Sequence, residues 1–159
     1  VDLDNRIVVA ANTRSFGDGL PNHDNLLAVQ LNDAGGVIWQ RTWGGEEDDT
    51  VFDIVAMPDA TGATGGYLIA GAVESWGTGA DDVWLMRIDP KGKLQWSFAY
   101  GSKADEEGRA LARAPDGGFV VAGFTDGWGA KNDDLMAFKF DGGGKIGHVF
   151  PSRFCQIPE

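Results

Sequence analysis

The sequence predicts an all-β fold made of repeated, four-stranded antiparallel sheets. The composition supports this class, because 24 glycines supply turns, and six Trp with nine Phe supply large flat side chains for packed strands. Internal repetition is the other observation, since successive stretches of the chain share one order of turn signals and apolar runs. With 159 residues, 43 % of them apolar, the chain is long enough to bury a core. These observations disfavour a helical bundle.

The repeat is defined by two motifs that recur at a constant spacing. Residues 65–71 have the sequence GGYLIAG, and residues 117–123 have the sequence GGFVVAG, 52 positions later. The triplet at 81–83 (DDV) recurs at 133–135 (DDL) with the same spacing. A more divergent first copy precedes them at an offset of 57 positions. Because these registers agree with one another, chance is a poor explanation.

Each repeat contains four extended segments, called a to d here, separated by turn signals. Segment a is followed by Pro-Asp and then a Gly-Gly pair, b is a continuous apolar run, c alternates in polarity, and d follows a turn. The predicted segments, in chain order, include Ile7–Ala11 (b of the first copy), Val51–Met57, Tyr67–Ala72, Val83–Ile88 and Leu94–Tyr100 (a to d of the second), and Arg109–Ala114, Phe119–Phe124 and Leu135–Phe140 (a to c of the third). The expected total is eleven strands, because the first copy has no segment a.

The strand pattern also predicts which side chains are buried and which join the sheets. Alternate residues of segment c lie on one face of a strand, and on that face all of them are large and apolar. They are Trp84, Met86 and Ile88 in the second copy and Met136, Phe138 and Phe140 in the third. Trp39 and Trp96 occupy equivalent places in segment d, and we expect them to pack between neighbouring sheets.

A period of about 50 residues with four antiparallel strands is typical of a β-propeller blade. We predict about three blades in an incomplete ring, because propellers close with about four to eight blades. The expected ranges are 5–43 for a first blade without its inner strand, 50–100 and 108–150 for the next two, and 151–159 for a C-terminal tail. A β-solenoid and a β-sandwich are the alternatives, although a solenoid has shorter coils and a sandwich need not repeat.

The motifs resemble the repeat of secreted bacterial and archaeal β-propeller proteins, from residue 5 to about residue 148. The resemblance rests on GGYLIAG and GGFVVAG, a Trp-Gly loop, Asp-Asp, an apolar strand, and DPKG at 89–92 before a strand Trp. The stretch from 89 to Trp96 is also similar to the tryptophan-docking pattern of quinoprotein-like propellers. The resemblance implies a propeller fold and an extracytoplasmic setting, either periplasmic or secreted, without a single activity. The third copy departs from the pattern, because His148 stands in the tryptophan position.

Charge and motif content exclude several classes of function. The net charge of −11 opposes binding to nucleic acid and disfavours an anionic membrane surface. No apolar run approaches the roughly 20 residues that span a bilayer. Cys155 is the single cysteine, so no internal disulfide and no Cys-rich metal site can form. Because nucleophile-elbow, zinc-protease and dinucleotide motifs are all missing, we expect no catalytic set, no cofactor and no metal.

The candidate binding surface is the face on which the b–c and d–a loops meet. Recurrent aromatic rings and carboxylates suit such a surface, because Trp stacks on sugar rings while carboxylates accept hydrogen bonds from hydroxyl groups or ligate Ca²⁺. The candidate residues are Phe16, Trp76 and Trp128 in the b–c loops, and Asp81, Asp82, Asp133 and Asp134 at the start of segment c. We expect the d–a loops to add acidic residues, including Asp49 and Glu106. The alternative is that residues recurring in every copy hold the repeat together.

These observations lead to a non-catalytic, extracytoplasmic propeller module for protein–protein contact or assembly. Its expected partners are other polypeptide chains that complete the propeller or pack on open blade edges, since exposed strand edges tend to pair. A carbohydrate-binding module that uses the loop Trp and Asp residues is the alternative. A part of a quinoprotein-like enzyme is a third hypothesis.

Overall fold

Three antiparallel β-sheets make up the part of the chain that the structure describes. The structure is a computed structural model, and it describes residues 2–16, 23–127 and 133–150. These ranges contain eleven strands and no helix, which confirms the all-β class and the strand count. Accordingly, they hold no helical segment that is long and apolar enough to cross a membrane. The predicted tail at 151–159 lies outside the described residues.

Each sheet is an up-and-down meander in which strands that are neighbours in sequence pair with each other. Sheet 1 has three strands and sheets 2 and 3 have four each, as the missing segment a predicts. Sheet 1 consists of β1 (Ile7–Thr13), β2 (Asn25–Leu31) and β3 (Val37–Trp43); sheet 2 of β4 (Asp49–Pro58), β5 (Thr64–Val73), β6 (Asp82–Ile88) and β7 (Leu94–Tyr100); and sheet 3 of β8 (Glu106–Arg113), β9 (Phe119–Thr125), β10 (Asp134–Phe140) and β11 (Ile146–Phe150). The described residues therefore contain three sheets and no closed ring.

Two apolar cores join the sheets, and sheet 2 contributes to both. One core lies between sheets 1 and 2 and includes Leu26, Tyr67 and Trp84. The other lies between sheets 2 and 3 and includes Leu85 and Phe138. Because both faces of sheet 2 are covered, β5 and β6 are buried along almost their whole length, as their continuous apolar runs require. All six segment-c side chains that the alternation predicts to be buried are almost fully buried.

The first strands of sheets 2 and 3 begin earlier than the sequence predicts. Strands β4 and β8 start at Asp49 and Glu106, two and three residues before the predicted segments. The assignment of these two acidic residues to loops was therefore wrong. The backbone N–H of Asp49 donates to the carbonyl of Asp24 at 2.7 Å, and that of Glu106 donates to the carbonyl of Asp81 at 2.8 Å. Asp49 also pairs with Val73 of β5 and Glu106 with Thr125 of β9, so each strand start is held both within its own sheet and by the preceding sheet.

Trp39 and Trp96 pack between neighbouring sheets, as predicted. The indole N–H of Trp39 in β3 donates to the carbonyl of Pro90 at 3.1 Å, in the turn between β6 and β7. A Cβ atom at Gly92 of that turn would lie only 2.8 Å from the Trp39 ring. Likewise, a Cβ atom at Gly144, between β10 and β11, would lie 3.0 Å from the Trp96 ring. Each tryptophan therefore covers a glycine turn of the next sheet, and we call such a turn a tryptophan seat.

Candidate functional site

Asp82 stands at the start of β6 on the predicted binding face. Its carboxylate forms hydrogen bonds within its own loop. Its Oδ2 accepts hydrogen bonds from the backbone N–H groups of Thr78 and Gly79, and its Oδ1 accepts one from the Thr78 hydroxyl at 3.2 Å. The residue is buried. These bonds compensate for the loss of hydration of a buried charge. The carboxylate therefore closes the β5–β6 loop.

The loops that precede β4 and β8 are also held by hydrogen bonds to a buried carboxylate. Asp49 accepts hydrogen bonds from the Gly45 N–H at 2.7 Å and from the Ser75 hydroxyl at 2.6 Å. Glu106 accepts from the N–H and the hydroxyl of Ser102, at 2.5 and 2.8 Å. Hydrogen bonds to charged acceptors are stronger than those between neutral groups. The two acidic side chains thus fix the loops between successive sheets.

A further acidic contact recurs between the sheets. The Asp48 carboxylate accepts a hydrogen bond from the backbone N–H of Asp24 at 2.7 Å. In the next copy, 57 positions later, the Asp105 carboxylate accepts one from the N–H of Asp81 at 3.4 Å. The same contact therefore ties sheet 1 to sheet 2 and sheet 2 to sheet 3. These repeated bonds favour the alternative in which recurrent acidic residues hold the repeat together.

An acidic cluster lies where sheets 2 and 3 meet on this face. Burial raises the pKa of Asp81, the charge of Asp105 raises it further, and Arg109 opposes both effects. Burial also raises the pKa of Glu107, again opposed by Arg109, while Asp81, Asp105 and Asp133 add to the increase. The Arg109 Nη2 atom lies 2.5 Å from Glu107 Oε2. Arg109 is thus the cation that balances this cluster.

Sequence reasoning missed Arg109 and its aromatic neighbours. The Arg109 guanidinium lies 4.0 Å from the ring centroid of Phe52 and 5.3 Å from that of Phe124. Phe52 and Arg109 are both the extra residue of a β-bulge, in β4 and β8 respectively. They are 57 positions apart, so the repeat spacing was the available signal. The two bulges themselves could not be predicted from the alternation of polar and apolar residues.

The predicted aromatic residues differ in how firmly they are held. Phe16 is 59 % exposed, and Trp76 is 40 % exposed with its ring edge-on to Trp84 at a centroid distance of 5.3 Å. Trp128 lies outside the described residues. Of the predicted site residues, two thus present exposed rings, Phe16 after β1 and Trp76 after β5. That these rings bind a ligand stays a prediction.

The carboxylates at the start of β10 are more accessible than Asp82. Asp133 is exposed, and its hydrogen bond to Asp126 is the main cause of a raised pKa at Asp126. Asp134, the equivalent of Asp82, is half-buried. Within the described ranges no group of three or more His, Cys, Asp or Glu side chains is placed to hold a metal ion.

Comparison with known proteins gives one weak similarity. No protein family model matches the chain. The chain is similar to the regulatory protein FlaEY of Caulobacter vibrioides, with 24 % identity over 156 aligned residues. The match covers 87 % of this chain and 16 % of FlaEY, so the chain spans about one-sixth of that protein's length. At this identity the similarity does not assign the chain to a family.

Proposed function

We propose that the chain is a non-catalytic, extracytoplasmic β-propeller segment that works by binding other polypeptide on the outer faces of its sheets. The meander sheets, their regular order and the tryptophan contacts between them support the propeller architecture. The observation that carries the binding function is a tryptophan seat on sheet 1 that no ring of the described residues covers. The similarity to part of a longer protein named as regulatory agrees with a segment that acts through contact.

The uncovered seat is the turn between β2 and β3. Its backbone matches the occupied seat at Gly92, because the N–H of Gly35 donates to the Asn32 carbonyl at 2.9 Å, as the N–H of Gly92 does to the Asp89 carbonyl at 3.0 Å. The φ angles of the two glycines are +80° and +74°. However, a Cβ atom at Gly35 would meet no atom within 4 Å. The seat is formed, and among the described residues no tryptophan lies over it.

The face of sheet 1 that points away from sheet 2 is apolar and exposed. Cross-strand pairs place Ile7, Leu31 and Val37 side by side on it, and Val9 pairs with Val29 one step further along. Ile7, Val9 and Val37 are all exposed. Burial of an apolar side chain of this size contributes about 1.5–3 kcal/mol. A partner sheet on this face would therefore gain both apolar contact and the seat.

These features define the partner as another antiparallel sheet of the same repeat, with an aromatic side chain in its outermost strand. Such a sheet would place its ring over Gly35 as Trp39 lies over Gly92. Strand β1 also forms the inner edge of sheet 1, where sheets 2 and 3 have the additional strands β4 and β8. A partner that adds a strand beside β1 would complete a four-stranded sheet.

Light scattering coupled to size-exclusion chromatography tests this function with the 159-residue chain over a range of concentrations. We expect association beyond the 17.0 kDa monomer, in which sheet 3 of a second copy, with His148 in the tryptophan position, is the available occupant of the seat. Gly35→Asn should weaken this association, because asparagine tolerates positive φ and its side chain covers the seat. Gly62→Asn is the matched control, since Gly62 has a φ of +86° and equally open space. A monodisperse 17.0 kDa species that unfolds cooperatively would contradict the proposal.

Carbohydrate binding is a second candidate, favoured by the presentation of Trp76. The edge-on contact with Trp84 holds the Trp76 ring in place while much of it stays exposed, and a fixed exposed ring suits stacking on a sugar. A glycan array probed with the chain and with Trp76→Ala tests this candidate. Signal at background, or signal that Trp76→Ala leaves unchanged, would remove it.

A further inference from the structure

A cleft of about 580 Å³ lies between sheets 2 and 3, at the end of the sheets opposite the predicted binding face. Its walls come from the end of β4 and from the turns that precede β9 and β11. Apolar contacts are offered by Met57, Pro58 and Pro115, and two arginines, Arg87 and Arg113, also line the cleft. A cleft that combines apolar walls with a few charged groups is the usual form of a small-molecule site.

The two arginines have no carboxylate partner within the described ranges. The six ion pairs found there involve other residues. The Nε of Arg87 donates to the neutral amide oxygen of Gln95 at 3.0 Å. Burial lowers the pKa of Arg87, and no acidic neighbour opposes that effect. In a chain with 24 acidic and 13 basic residues, two arginines without an acid in one cleft leave positive charge for a ligand.

The contact between sheets 1 and 2 shows what occupies the corresponding place in the first copy. There the Asp2 carboxylate is buried and accepts hydrogen bonds from the Tyr67 hydroxyl at 2.7 Å and from Gln30 Nε2 at 3.4 Å. Burial by itself would raise the pKa of Asp2, but the hydrogen bonds from Tyr67 and from the backbone of Arg6 and Asp4 lower it overall. The chain therefore holds a carboxylate of its own between these two sheets.

The corresponding place between sheets 2 and 3 has a basic residue and, among the described residues, no buried carboxylate. Arg87 stands 57 positions after Gln30, and Phe119 stands 52 positions after Tyr67. The turn residue that corresponds to Asp2 is Asp59, which makes the same backbone hydrogen bonds but is exposed and bonded to Thr61 of its own turn. A cation has thus replaced the amide, and the carboxylate is absent from the contact.

We propose that this cleft binds a small molecule that carries a carboxylate group. The carboxylate takes the role that Asp2 has between sheets 1 and 2, and it accepts charge-assisted hydrogen bonds from Arg87 and Arg113. The apolar walls contact the remainder of the ligand. This site is at the other end of the sheets from the candidate face, and it does not depend on the assembly function.

Titration of the 159-residue chain with benzoate and with succinate, followed by NMR chemical shifts, tests the proposal. We expect saturable binding that Arg87→Gln weakens about tenfold or more, because hydrogen bonds between charged groups are lost. Glutamine is the residue at the equivalent position of sheet 1, so this change suits the local packing. Arg113→Gln is the second variant, since Arg113 is exposed and lies at the end of β8. Arg41→Gln, on β3 and outside the cleft, is the control that should leave binding unchanged.

Saturable binding of a carboxylate that both cleft variants weaken, with far-UV circular dichroism unchanged, supports the site. No saturable binding of either carboxylate overturns it, as does binding that survives in both variants. Inorganic phosphate is the probe for a general anion site, and phosphate that binds as well as the carboxylates overturns the assignment of a carboxylate ligand.

Discussion

Replacement of Trp39 by alanine removes the ring that joins sheet 1 to sheet 2. Trp39 is 7 % exposed, its N–H donates to the Pro90 carbonyl, and its ring centroid lies 6.1 Å from that of Tyr67. Truncation of a buried tryptophan to alanine costs about 3–5 kcal/mol. Since the total stability of a domain is about 5–15 kcal/mol, we expect Trp39→Ala to remove a large fraction of it.

Urea unfolding followed by circular dichroism measures this loss by linear extrapolation. For a domain of this size each kcal/mol lowers Tm by about 2–4 °C, so a loss of about 4 kcal/mol lowers Tm by about 8–16 °C. Trp39→Phe keeps most of the apolar contact and removes the N–H, so it should cost less, with about 1 kcal/mol for the hydrogen bond. Trp76→Ala is the control, because Trp76 is 40 % exposed and lies in a loop.

The difference in unfolding free energy between Trp39→Ala and Trp76→Ala tests whether the Trp39 ring joins the two sheets. If Trp39→Ala cost no more than Trp76→Ala, the ring would not carry the contact between the sheets. Gly92 would then be an ordinary turn glycine, and Gly35 would no longer be a vacant equivalent of it. The same measurement therefore bears on the basis of the proposed function.

Two further changes test other parts of the structure. Gly92→Ala should destabilise the chain more than Gly62→Ala: both sites have positive φ, which costs about 1–2 kcal/mol, but only the Cβ atom at Gly92 meets a ring, that of Trp39. If Gly92→Ala and Gly62→Ala lowered the free energy of unfolding in urea equally, the contact between Gly92 and the Trp39 ring would be refuted. Asp81→Asn should increase the free energy of unfolding at pH 7, since it removes a half-buried charge beside Asp105. Urea titrations over a pH series measure that gain.

The sign of the pH effect follows from the raised pKa of Asp81. Its ordinary value is 3.8, so the folded chain holds the proton more tightly than the unfolded chain does. The contribution of Asp81 to the stability of the natural chain therefore falls as pH rises from 3.8 through the raised pKa. The gain from Asp81→Asn should be full at pH 7 and vanish near pH 3, where the carboxyl group is protonated in both states. Glu46→Gln, in an exposed position of the loop before β4, is the control. An equal gain at pH 3 and pH 7 would show that charge is not the cause.

The fold could be predicted from the sequence where local pattern and repeat spacing agree. Segment c is the clearest case, because alternation places Trp84 and Phe138 on one face and the spacing places them in equivalent strands. The starts of β4 and β8 could not be predicted, because Asp49 and Glu106 are charged residues in acidic runs that are typical of loops. Their strand conformation comes from pairing with Val73 and Thr125 and from hydrogen bonds to carbonyl groups in the preceding sheet, which no local pattern contains.

The candidate site was harder to predict than the fold, since an acidic residue has the same letter whether it is free or bonded. Asp82 and Asp133 are equivalent to positions in other copies and both were candidates for binding. In the structure Asp82 closes its own loop, whereas Asp133 is exposed. Asp82 contacts backbone donors of its own folded loop, and that contact cannot be read from the sequence.

One repeat position shows how the copies have diverged in charge. Gln30, Arg87 and Lys139 occupy equivalent places in β2, β6 and β10. Gln30 bonds to the carboxylate of Asp2, and Lys139 bonds to that of Asp116 at 2.9 Å. Arg87 has the amide of Gln95 and no carboxylate. In the first and third copies the chain thus provides a carboxylate at this position. In the second copy Arg87 lines a cleft of about 580 Å³ instead. This contrast is why a carboxylate, rather than an uncharged ligand, is the molecule we expect there.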